Sequence, residues 1–60
     1  MTYVAAFRNH DGTIHRERFS AATIDRDLVL SEATRIYGVM PVEISDTGTG
    51  EILFRERRVK

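Results

Sequence analysis

Few side chains in this 60-residue chain are of types and spacings that do chemistry. His10, Asp11 and His15 supply two imidazoles and a carboxylate, the donor types of a transition-metal site. His10 and Asp11 fall at a turn tip, whereas His15 lies further along the following segment. The three do not converge, and they read as solvated turn and strand residues rather than ligands. Ser20 and Ser31 have no neighbouring His and acid to activate a hydroxyl, so no nucleophilic triad is supported. Gly48 and Gly50 precede a strand and no Lys follows them, which excludes a glycine-rich phosphate loop.

Asp46-Thr47-Gly48 spells the triplet with which aspartic proteases bring two carboxylates together to share a proton. Here the triplet occupies an expected hairpin turn, a second Thr-Gly follows it, and the chain is much shorter than even the dimeric enzymes of that class. It reads as turn chemistry. Neither catalysis nor a bound cofactor is expected.

Arginine is the remaining chemistry. The chain holds eight arginines and one lysine, and guanidinium groups pair bidentately with carboxylates and phosphates. Arg8, Arg16, Arg18, Arg55, Arg57 and Arg58 are the candidate binding residues, all in segments that read as strands.

The elements that must position them follow from patterning. Thr2–Arg8 alternates as a strand, with Tyr3, Ala5 and Phe7 on one side. Asn9-His10-Asp11-Gly12 supplies a tight turn, and Thr13–Phe19 returns as a polar strand that suits a sheet edge. A helix is predicted over Ile24–Tyr37, capped by Thr23, with Asp25 and Asp27 at its positive end and Gly38 as its stop. Leu28, Val29, Leu30, Ala33, Ile36 and Tyr37 form its apolar stripe. Val39–Ser45 reads as a third strand, in which Pro41 marks an edge or a start, and Glu51–Val59 as a fourth. The order ββαββ predicts one α+β domain over residues 1–60, a two-layer sandwich of one helix on a four-stranded sheet. Polarity places the second and third strands outermost, giving the order 2-1-4-3 with the first and fourth adjacent and parallel; an all-antiparallel sheet is the competitor.

Composition limits the rest. Nine basic and nine acidic residues sum to zero, and there is no cysteine, so neither disulfides nor the common thiolate zinc sites can support a small core. Packing or a second copy must do so, and a homodimer is expected. No apolar run reaches the ~20 residues of a spanning helix, and the N-terminus lacks the pattern of a signal peptide, which predicts a soluble, cytoplasmic protein without membrane contact.

The zero charge is segregated. Residues 1–20 sum to +1, residues 21–46 to −3 and residues 47–60 to +2. With the helix over Tyr3, Phe7, Met40, Val42, Ile44, Ile52 and Phe54, the open sheet face carries Arg8, Arg55 and Arg57, joined by either Arg16 and Arg18 or His15 and Glu17. Val4, Val39, Leu53 and Val59 would add an apolar patch beside them. These features predict a small non-enzymatic interaction module, a regulator or inhibitor of the accessory or phage type that binds a partner protein. The alternative is a nucleic-acid binder using the arginine face, which neutral charge and the lack of spare aromatic residues disfavour.

Overall fold

A computed structural model describes residues 1–57 of the chain. Its elements are β1 (Thr2–Arg8), β2 (Ile14–Ser20), α1 (Arg26–Tyr37), β3 (Glu43–Asp46) and β4 (Ile52–Arg55). The helix packs on one face of a four-stranded antiparallel sheet, the two-layer α+β arrangement that the order ββαββ predicts. No helix among the described residues is long and apolar enough to cross a membrane.

The first hairpin closes through a three-residue loop. Asn9 N–H donates to the Thr13 carbonyl at 2.7 Å and Gly12 N–H to the Asn9 carbonyl at 3.0 Å, with Gly12 at φ 88°. That left-handed position is one glycine enters without the penalty a Cβ would bring.

Helix α1 begins later than its patterning predicts. Asp25, rather than Thr23, is the cap: its carboxylate accepts from the Asp27 and Leu28 N–H groups at 2.9 and 3.2 Å. Thr23 Oγ1 instead accepts from Asp25 N–H at 3.0 Å, fixing the approach to the helix. A carboxylate meets the positive end of the dipole better than a hydroxyl does. Gly38 stops the helix at φ 75°, its N–H bonded to the Thr34 carbonyl. Val29 and Ala33 are buried, with Leu30 and Tyr37 packed beside the core. A stripe centred on these four leaves Leu28 on the far side and Ile36 at its margin, and both are exposed.

The strand order is β2-β1-β3-β4, with every neighbouring pair antiparallel. This replaces the 2-1-4-3 order in which β1 and β4 are parallel. Pro41 lies ahead of the β3 ladder, so it removes no donor from it, and β3 enters the sheet with Ile44 fully buried beside Ala5. β4 is apolar but only four residues long, and it takes the edge. The third strand starts at Glu43 rather than Val39, leaving Met40 exposed in the connection instead of on the covered face.

A register shift at Ile44/Ser45 sets Ile44 opposite Phe54 but Ser45 opposite Ile52. Leu53 is the extra residue of this bulge. Simple alternation would bury Ile52 and expose Leu53; the bulge does the reverse, so Leu53 packs against the core and Ile52 stays 44% exposed.

The core is Tyr3, Ala5, Phe7, Phe19, Ala21, Val29, Ala33 and Ile44. Tyr37 brings the helix onto it by meeting Phe7 and Phe19 edge-on, at centroid distances of 4.9 and 6.2 Å. The buried Tyr3 hydroxyl donates to the Thr23 carbonyl at 2.7 Å, so its burial leaves no polar group unpaired.

Candidate interaction face

Residues directly opposite one another on paired antiparallel strands project to the same side. The pairs Val4↔Arg18, Ala6↔Arg16 and Arg8↔Ile14 belong to one face. Val4↔Ser45 and Ala6↔Glu43 extend that face to β3, and Glu43↔Arg55 and Ser45↔Ile52 extend it to β4. The other face carries Tyr3, Phe7, Phe19, Ile44 and Phe54 under the helix, with His15 and Glu17 at its margin.

The choice left open by sequence is thereby resolved. Arg16 and Arg18, not His15 and Glu17, share the uncovered face with Arg8 and Arg55. One row across the sheet reads Arg16, Ala6, Glu43, Arg55; the next reads Arg18, Val4, Ser45, Ile52. Arg57 is exposed beyond the end of β4, where no ladder fixes its side. Arg58 and Val59 lie outside the described residues. Val39, expected beside the arginines, is exposed in the α1–β3 connection instead.

Two of the four face arginines are engaged. Arg55 Nε donates to Glu43 at 3.1 Å, and Arg8 pairs with Glu56 at 2.9 Å. Such exposed pairs are worth about 0–1 kcal/mol each. Among the described residues, Arg16 and Arg18 have no ion-pair partner, and they stand one above the other on the edge strand β2. The helix side differs: Arg35 is held by Glu32, whose carboxyl is pulled below its ordinary range by that guanidinium.

The other sequence candidates are occupied locally. Asp46 Oδ1 accepts from the Gly48 and Thr49 N–H groups at 2.7 and 3.2 Å, so the aspartate of the Asp-Thr-Gly triplet organises its own turn. Asp11 accepts from Thr13 N–H and Thr13 Oγ1 at 3.0 and 2.6 Å, and these bonds lower its pKa. His15 stacks on Phe7 at 5.3 Å with Nδ1 2.8 Å from Asn9 Oδ1. Among the described residues no three His, Cys, Asp or Glu side chains gather as a metal site requires.

One member of the face escapes sequence reasoning: Ile52 arrives through the bulge, for which the sequence carries no signal. Glu43 stands where its alternation with Val42 and Ile44 puts it, across from Arg55. Compared with protein-family models, curated proteins and solved structures, the chain matches none of them.

Proposed function

We propose that the protein is a non-enzymatic interaction module whose open sheet face binds an acidic surface of a partner protein, in the manner of a regulator or inhibitor. The observation that carries this reading is the placement of Arg16 and Arg18 on the face away from the helix, beside Val4, Ile14 and Ile52 and, among the described residues, without ion-pair partners. Arginine is enriched at protein interface centres and among the residues that carry their binding energy. A carboxylate arriving there gains charge-assisted hydrogen bonds without first displacing an internal acid.

Nucleic acid is the second reading, since the same guanidinium groups fit phosphates. Two features count against it. The chain is neutral overall, and its five aromatic residues serve the covered side, where Tyr3, Phe7 and Phe19 are core and Tyr37 and Phe54 pack against it. No stacking platform remains for bases on the arginine face.

Titration with polyglutamate and with a 20-base-pair duplex at low salt separates the two. The protein reading expects polyglutamate binding that falls at least tenfold in Arg16→Ser/Arg18→Ser and is unchanged in Arg35→Ser. Preferential retention of the duplex, with a steep salt dependence from counterion release, would favour the second reading instead.

A further inference from the structure

The hydrogen-bond phase of the first hairpin fixes what the outer edge of β2 offers. Met1 N donates to the Ala21 carbonyl at 3.1 Å and Ala21 N–H to the Met1 carbonyl at 3.0 Å, so Met1 and Ala21 are a mutually bonded pair. At the other end, Asn9 N–H bonds the Thr13 carbonyl. Bonded and non-bonded pairs alternate along an antiparallel ladder. The bonded pairs are therefore Tyr3↔Phe19, Ala5↔Glu17 and Phe7↔His15, and the peptide groups of Ile14, Arg16, Arg18 and Ser20 point away from β1, toward solvent. One contact agrees with this phase: the Tyr37 hydroxyl, reaching over from the helix, lies 3.4 Å from the Arg18 carbonyl.

The same residues thus present outward backbone and open-face guanidinium together. β2 is seven residues long, all exposed except Phe19. The opposite edge, β4, has four residues and a register shift beside it. Exposed edges are templates for strand addition unless charge or distortion blocks them. Here the charge selects a partner. Full-length pairing with a second β2 sets Arg16 opposite Arg18 twice, and the neighbouring registers centred on Arg16 or Arg18 oppose an arginine to itself; like charges directly opposite are destabilising.

We infer that this edge takes up an extended acidic segment of a partner protein as a fifth strand, with carboxylates at alternate positions opposite Arg16 and Arg18. The inference rests on the proposed function and names its mode of recognition. Residues of the incoming strand that pair by backbone with Arg16 and Arg18 project onto the open face, where each carboxylate stands beside the guanidinium it faces. Main-chain bonds supply affinity and the alternating charges supply register, as in other strand-addition complexes. The Arg18 carbonyl has a second lone pair, so Tyr37 need not leave.

The probe is a capped seven-residue peptide of alternating valine and glutamate. Its control is the same peptide N-methylated at the glutamates, which keeps the charge and loses the donors. The expected result is at least tenfold slower amide exchange at Arg16 and Arg18 with the first peptide, and at least tenfold weaker binding of the second. Arg16→Ser/Arg18→Ser, with its circular dichroism unchanged, loses both effects. Equal binding of the two peptides with exchange unaltered overturns strand addition while leaving acidic docking on the face intact. Binding of polyglutamate but not of the peptide does the same. Failure of every acidic probe, or displacement by duplex DNA at lower concentration than by the peptide, removes both this inference and the proposed function.

Discussion

At the scale of single residues, the titrating groups make separable predictions. Burial first, and the nearby Glu17 charge second, raise the Tyr37 pKa. Its neutral phenol therefore contributes stability that is complete below the unfolded pKa and is lost as pH rises through the higher folded value. Absorbance titration should show Tyr37 ionising later than a free tyrosine, and Glu17→Gln should bring it part of the way back; an unchanged midpoint in that variant would remove Glu17 from the account. Asp11 behaves with the opposite sign. Hydrogen bonds from Thr13 lower its pKa, so the turn gains stability above the ordinary carboxylate pKa and loses it as pH falls through the folded value. Asp11→Ala should destabilise the hairpin at neutral pH and by less in acid, read by chemical denaturation at both.

At the scale of elements, the bulge in β4 and the cap of α1 are the features to test. Ile52 is exposed and Leu53 packs against the core, so Leu53→Ser should lower the urea midpoint more than Ile52→Ser, which should stay within about 0.5 kcal/mol of wild type. The reverse order, with Ile52→Ser the more damaging, would mean the strand alternates without a bulge. Asp25→Ala should cost about 1 kcal/mol and Thr23→Ala less, because the carboxylate of Asp25 holds two helix N–H groups while Thr23 holds one outside the helix. Both features mark where sequence runs out. The elements themselves were legible because apolar spacing and glycine stops are local: β1, the Gly12 turn and the Gly38 stop stand where patterning puts them. Which of two acceptors caps a helix depends on the path of the chain into it, and a bulge depends on the neighbouring strand. Strand order failed for a similar reason. Pro41 admits either an edge or a strand start; pairing begins just after it, so the start is what the structure takes, and edge or centre is decided by the burial of Ile44 rather than by average polarity. The candidate face was half legible: its arginines were named, but the side taken by Arg16 and Arg18 needed the register with β1.

At the scale of the whole molecule, the neutral chain divides by face rather than by sequence block. The sheet side gathers Arg8, Arg16, Arg18 and Arg55 against Glu43, with Glu56 on Arg8. The helix carries Asp25, Asp27 and Glu32 against Arg26 and Arg35. On the proposed function, a surface so arranged favours acidic partners on the sheet side, and like charges opposite one another disfavour self-pairing along β2. The central claim is that Arg16 and Arg18 offer backbone and charge together at the β2 edge, which no other strand among the described residues pairs. Residue-resolved amide hydrogen exchange of the protein alone tests it most directly. Alternation along β2 is predicted, with His15, Glu17 and Phe19 protected by β1 and with Arg16 and Arg18 exchanging at least tenfold faster at every protein concentration. Protection of Arg16 and Arg18 equal to that of Glu17 and Phe19 would contradict the account, because the edge would then be already paired or the ladder in the opposite phase.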